Sequence, residues 1–202
     1  VGGEIERRIK AGGDADTLWD CLYLDSGEVA EFLKFAKAAS VRDYVYPVLV
    51  MAAHTWARRS EMMRARLEDV DSENAIVTLR EKKRARGTYT TRRVPISKLL
   101  AEVLTARMKI QEGKTYLFGD GEVELTDGQA YQAFTTLVKD SKWKVLARFH
   151  ILRHAFISAL ASKGVDQRLI DEFAGHSTEQ QRRRYRHLLP QVTRDAIAGV
   201  FG

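Results

Sequence analysis

AIVTLREKKRARGTYTTRRVPI, residues 75–96, is the stretch on which the fold turns. Ile76 and Val77 lead into an alternating run through Thr78, Leu79, Arg80 and Glu81, the period of a half-buried strand. RARGT offers Gly87 to a turn. TTRRVP reads as the returning strand, ended at Pro95 because proline cannot donate to a ladder. The spacing predicts one β-hairpin over 75–96. From Arg80 to Arg93 seven Lys/Arg stand against one acid, a local charge of +6 (7 − 1), and the whole 202-residue chain carries a net +6. The positive charge is focused, as a phosphate-gripping surface needs; a solvated basic loop has the same composition.

Outside the hairpin the period is helical. Asp25 and Glu28 have capping-box spacing, and Val29, Phe32, Leu33 and Phe35/Ala36 follow at helical intervals. A second, mostly apolar helix is predicted over 41–53, and Ser60, Met63 and Leu67 continue a helical rhythm. Beyond the hairpin, helices are predicted at 97–110 and 127–139, with a short strand-like TYLFG at 115–119 between them. FHILRHAFISALASKG places Phe149, Leu152, Phe156 and Leu160 on one face and Gly164 as a stop. Asp166 can cap the next helix, which Gly175 ends. Ser177 and Gln180 have capping-box spacing for another helix, which carries Tyr185 and stops before Pro190. Residues 1–22 read as a tail or linker, residues 23–202 as one domain, and 191–202 as a short amphipathic tail segment. The expected class is α+β, predominantly α-helical, with a small antiparallel sheet beside the helices.

Composition narrows the function classes. Charged residues make up 30% and hydrophobic residues 45%, the profile of a soluble globular protein. The basic excess points to a polyanion, nucleic acid first and an anionic membrane surface second. Cys21 is the sole cysteine, which excludes an intrachain disulfide framework and a cysteine-based zinc site and fits a reducing cytosol. No apolar run is long enough to span a bilayer, and no signal peptide is expected from the residues given. The chain begins at Val1 rather than Met, the expectation for a piece of a longer protein.

Three further stretches hold polar residues at telling intervals. In TWARRSE, Arg58 stands three residues before Glu61, a co-facial pair on a helix and otherwise a plain ion pair. In HILRH, His150 and Arg153 share a face while Ile151 and Leu152 point inward. Two donors at a helix start suit a phosphate, and no carboxylate or cysteine nearby suits a metal. In GHSTEQQRRRY, Gly175-His176 is followed nine residues later by Tyr185.

Taken in order, Arg, Lys, His-x-x-Arg, Gly-His and Tyr at these intervals resemble the catalytic domain of the tyrosine recombinases, the phage-integrase family. The resemblance covers about residues 23–190. HILRH and GHSTEQQRRRY carry most of it; ARRSE and the KK-then-RRVPI hairpin corroborate them. The chain departs from the family in two places. Thr55-Trp56-Ala57 stands where Thr-Gly-Leu or Thr-Gly-Met is usual, with Arg58 kept in register by Ser60-Glu61. Ala174-Gly175-His176 stands where Leu-Gly-His is commoner. The family's N-terminal DNA-clamping domain does not precede these motifs here, again as expected of a C-terminal piece or a short member.

The resemblance implies DNA strand exchange through a 3′-phosphotyrosine, with Tyr185 as nucleophile. A phenol of pKa about 10 needs help at neutral pH, and attack on an anionic phosphodiester builds further negative charge. Preset arginines meet both demands, because a guanidinium stays charged and grips two oxygens in a fork. Arg58 and Arg153 are therefore assigned to the non-bridging oxygens, with His150 and His176 as donors or proton carriers. Lys83, aligned in preference to Lys82, is the general acid for the leaving 5′ oxygen. Glu61 orients Arg58 or His150. Lys82, Arg84, Arg86, Arg92, Arg93, Arg182, Arg183 and Arg184 are expected on DNA phosphates, with Arg186 beside them. No metal, nucleotide or other cofactor is implied.

The implied partners are double-stranded DNA and three further copies in a synaptic tetramer, with a monomer as the state without DNA and no membrane partner. The implied setting is a prokaryotic cytoplasm. Two alternatives share part of this pattern: a type IB topoisomerase-like enzyme that relaxes DNA as a monomer, and a catalytically silent DNA-binding module.

Overall fold

The computed structural model describes residues 24–83, 89–146 and 150–174. The expected tail at 1–22, the hairpin tip at 84–88, the helix bearing Tyr185 and the segment 191–202 lie outside the described residues. Between these limits the chain is α+β and mainly helical, with a small antiparallel sheet, as the sequence predicts.

Helix α1, Ser26–Ala39, begins at the predicted capping box. The Asp25 carboxylate accepts from the Glu28 N–H at 2.8 Å, and Glu28 accepts from the Asp25 N–H at 3.0 Å. Its inner face buries Phe32, Leu33 and Ala36. The Phe32 ring meets Trp143 edge-on at 5.2 Å and Phe134 at 6.3 Å, which ties α1 to residues in the second half of the chain.

Helix α2, Val45–Thr55, is the buried centre of the fold and packs on α1 and on the helices Lys98–Ile110 and His150–Ser162. It starts four residues later than its apolar run predicts. Pro47 explains the difference, since it lacks an N–H and its ring fits only the first turn of a helix. A start at Val41 would have put that ring in the helix interior. Val41 is instead 90% exposed.

The helical rhythm expected through Ser60, Met63 and Leu67 is broken at Trp56, whose φ of 53° is left-handed. A five-residue helix α3, Arg59–Met63, follows, then a single 3₁₀ turn at Leu67–Asp69. Strand β1, Val70–Asp71, was not expected. Two residues carry no periodicity of their own; β1 exists because Val70 pairs with Val77 and Asp71 with Ile76.

Strands β2, Ile76–Lys83, and β3, Tyr89–Pro95, form the predicted hairpin and complete a sheet of order β1-β2-β3. The register Val77↔Val94 and Leu79↔Arg92 puts these four residues on one face. Val77, Leu79 and Val94 are buried, so that face is the inner one. The register shifts between Arg80 and Lys83, a bulge near the catalytic lysine expected from the sequence.

Helix α4, Lys98–Ile110, is capped by the Ser97 hydroxyl, and helix α5, Asp127–Val138, by a Thr126/Gln129 capping box. Between them TYLFG is not a strand. It makes one bridge, Arg66↔Tyr116, and is held by a few backbone bonds, among them the Leu117 N–H to the Ala65 carbonyl at 2.9 Å and the Tyr116 N–H to the Gly121 carbonyl at 2.9 Å, and by side chains. The buried Arg107 donates to the Leu117 carbonyl at 2.9 Å and the Gly119 carbonyl at 2.6 Å, and pairs with Asp43 at 2.7 Å. The loop closes at Gly121, φ 85°, where a Cβ would stand 2.4 Å from the Gln111 Oε1.

A 3₁₀ turn at Lys142–Val145 leads towards helix α6, His150–Ser162, and helix α7, Gln167–Ala174. Gly164, at φ 73°, separates them as the sequence predicts, and Asp166 accepts from the Arg168 N–H at 2.7 Å. Ile151 and Leu152 are both buried, so the first turn of α6 is seated in the core.

Candidate active site

The site is built on the joint between α2 and α3. Thr55 ends α2 with its hydroxyl on the Met51 carbonyl at 2.7 Å, and the same hydroxyl accepts from the Ala57 N–H at 3.2 Å. Trp56 then turns the chain through the left-handed region, which for a residue with a side chain costs about 1–2 kcal/mol. The turn makes Arg58 the cap residue of α3 rather than a residue within a long helix.

Arg58 is held by Glu61. Its N–H donates to one carboxylate oxygen at 2.9 Å and its Nη1 to the other at 2.7 Å. Glu61 also accepts from the Arg92 Nη2 at 3.0 Å, Arg92 Nη1 donates to Glu81 at 2.7 Å, and Glu81 lies 3.8 Å from Arg58. Two arginines and two glutamates thus alternate around a closed, neutral ring. The Glu61 side chain is fully buried, that of Arg92 is 9% exposed, and that of Arg58 is 40% exposed. The ring therefore fixes the Arg58 guanidinium on one side and leaves part of the side chain to solvent. Burial pushes the Glu61 carboxyl up. The Arg92 charge and the hydrogen bonds from Arg92 and Arg58 outweigh it, leaving the pKa below the usual carboxylate range.

Arg92 thus corrects an expectation. The sequence places it among the DNA-contacting cations, yet its guanidinium is enclosed by two carboxylates. The signal was in the sequence: Val94, two residues on, sets the inner face of β3, and alternation puts Arg92 on that face with it. Arg93 has the opposite orientation. It is 64% exposed, with Asp71 at 3.7 Å.

Arg64, which the sequence did not single out, secures the hairpin. Its Nη1 donates to the Arg80 and Glu81 carbonyls at 2.8 and 2.7 Å, across the bulge, and its guanidinium lies 5.0 Å from the Tyr89 ring centroid. Lys82 and Lys83 end β2 immediately beyond this anchor, and Lys83 pairs with Tyr89. Arg80 is turned to Asp69 and Glu68 on the neighbouring turn.

Arg153 lies on the first turn of α6, three residues after His150, the helix's first residue. Its Nη1 donates to the Trp56 carbonyl at 2.5 Å, and its guanidinium stands 4.1 Å from the Trp56 ring centroid. Arg153 is therefore docked on the turn that places Arg58, two residues away. The structure brings together Arg58, Glu61 and Arg153, with Lys82 and Lys83 on the strand whose Glu81 joins the ring. Arg84, Arg86, His176, Arg182, Arg183, Arg184 and Tyr185 lie outside the described residues.

Chemically, the arrangement offers two guanidiniums around one turn, each held by acceptors on one side. That is the equipment for binding and polarising a phosphate diester.

Residues 23–191 match the family model described as the phage integrase family. Among curated proteins, tyrosine recombinase XerA of Pyrococcus furiosus is 23% identical over 177 residues, covering 86% of this chain and 60% of that protein. XerA of Pyrococcus horikoshii is 29% identical over 163 residues, covering 79% of this chain and 55% of its own. The chain thus spans less than two thirds of the length of these relatives. Among solved structures, a Tn1549 transposon integrase in complex with transposon right end DNA superposes with a TM-score of 0.74 at 19% identity, covering 90% of this chain and 66% of that one. At that identity the likeness speaks for the fold.

Proposed function

Since the chain belongs to the phage integrase family, we propose that it cleaves and rejoins DNA strands at specific sites through a 3′-phosphotyrosine formed by Tyr185. The observation that carries this reading is the docking of Arg153 on the Trp56 turn beside Arg58. Two arginines far apart in sequence are brought to one place with acceptors behind them, an arrangement that ordinary surface arginines do not need.

In the proposed reaction the Tyr185 oxygen attacks the scissile phosphorus and the bond to the 5′ oxygen breaks. The phenol proton passes to a neighbouring base, for which His150 and His176 are the candidates. Lys83 supplies the proton that the 5′ oxygen takes up, since lysine pKa falls readily among other cations. Arg58 and Arg153 neutralise the non-bridging oxygens as charge builds. Glu61 orients Arg58 and does no chemistry. The phosphotyrosine bond conserves the energy of the broken diester, so the reverse attack by a 5′ hydroxyl reseals DNA without another energy source.

Double-stranded DNA is the substrate on this reading, with Arg93 and the basic hairpin on flanking phosphates and a tetramer of copies holding two sites. No helix among the described residues is long and apolar enough to cross a membrane; a cytoplasmic, DNA-associated place follows from the substrate.

The test is a nicked duplex from which the short fragment bearing the new 5′ hydroxyl diffuses away after cleavage. The protein is expected to become trapped as an SDS-resistant adduct, and Tyr185→Phe to bind the duplex without forming one. Binding by the unaltered protein with no adduct on any duplex offered would leave the silent DNA-binding module as the better account.

A further inference from the structure

Trp56 is anomalous twice over. A bulky side chain sits at φ 53°, where glycine is at home, and this bulky side chain is 1% exposed. A structure that only required the turn would be served by glycine, which adopts it without strain. The ring must therefore contribute something that the turn does not. It packs in a small cluster with Ile157 and Ile170, against which the partly buried Phe156 and Leu160 lie, between the α2–α3 joint and helices α6 and α7. Against it lies the guanidinium of Arg153, 4.1 Å from the ring centroid.

We propose that Trp56 is a positioning residue for Arg153: its indole is the platform that sets the plane of the guanidinium, while its carbonyl takes one edge of the same group. A guanidinium stacked on an aromatic face and bonded along one edge has lost the freedom to rotate. One residue thereby contributes a backbone acceptor and a ring to one arginine, and its left-handed backbone places Arg58 two positions on. Both guanidiniums are referred to a single rigid turn. The proposal rests on the assignment of Arg153 to the scissile phosphate.

The test measures single-turnover adduct formation at saturating nicked duplex, together with duplex affinity and melting temperature, for Trp56→Phe, Trp56→Leu and Arg153→Ala. Phe keeps an aromatic face; Leu keeps apolar bulk without one. Both retain a Cβ at the strained position, so the backbone penalty is matched. Rates are compared well below both melting points, and Trp56→Met replaces Trp56→Leu should the latter not fold. The expected result is that Leu (or Met) slows cleavage about tenfold or more at saturation with duplex affinity little changed, while Phe restores the rate to within about threefold of the parent. Equal rates for Phe and Leu, fast or slow, overturn the proposal while leaving the role of Arg153 intact if Arg153→Ala is slow. Arg153→Ala cleaving at the parent rate would instead overturn the assignment of Arg153 on which it rests.

Discussion

The Glu61 carboxylate holds Arg58 at 2.7 Å through one oxygen and Arg92 at 3.0 Å through the other, with no part of its own side chain exposed. A buried carboxylate in this position is stable only because two guanidiniums compensate for its lost hydration. Removing it would take a carboxylate partner from Arg92 and the main support from Arg58.

Glu61→Gln is therefore expected to destabilise the fold by about 3 kcal/mol, in the range for breaking a buried pair. It should also slow adduct formation beyond any loss of folded protein. Urea unfolding and a cleavage assay on the folded fraction check the two effects separately.

The same pair sets an acid response. The Glu61 pKa is lower in the folded protein than its ordinary value of 4.5. The unfolded chain therefore takes up the proton first as pH falls. The stabilisation from ionised Glu61 is complete above about 4.5 and is lost as pH drops through the lower folded value. Melting temperatures of the parent and Glu61→Gln should converge below pH 4.5 and stay apart at neutral pH. A constant gap across this range would mean that the carboxylate's charge is not what stabilises the ring.

Arg92 and Arg93 are adjacent in sequence and opposite in role. Arg92→Ala is expected to lower stability by about 3 kcal/mol, since it takes from Glu61 and Glu81 the buried guanidinium they share and leaves Arg58 between them. Arg93→Ala should stay within about 0.5 kcal/mol of the parent and reduce the salt dependence of duplex binding by about one unit of log–log slope. Thermal unfolding and salt titration of duplex affinity separate the pair.

Gly121→Ala tests the loop that replaces the expected strand. The added methyl would meet Gln111 and Lys114 at a φ of 85°, whereas the same change at Gly113, φ 77°, meets nothing within 4 Å. Both suffer the left-handed penalty of about 1 kcal/mol. Only Gly121→Ala adds a steric clash, so its melting temperature should fall further.

Much of this was legible in local chemistry. The α1 capping box, the hairpin with its Pro95 stop, the Ser97 start of α4 and the Gly164 break each depend on residues a few positions apart, and each stands where it was read. What was missed depends on distant partners. β1 needs β2, the 115–119 segment needs Arg107, and the ion pair that encloses Arg92 needs Glu61 from another element, although strand alternation with Val94 signals its inward face. Trp56 is the sharpest case. Its left-handed turn contradicts its residue type, and nothing near it in the chain reveals that Arg153 will be stacked on it. Of the site, the residue types and their order were legible; the ring behind Arg58 and the anchor made by Arg64 were not.

The central claim is that Arg58 and Arg153 serve one scissile phosphate. It is tested most directly by single-turnover adduct formation of Arg58→Ala and Arg153→Ala at saturating nicked duplex. The account predicts that each variant binds the duplex yet cleaves about 10²–10³-fold more slowly, the loss typical of a single preset donor to a charged transition state. Cleavage at the parent rate by either variant would contradict it.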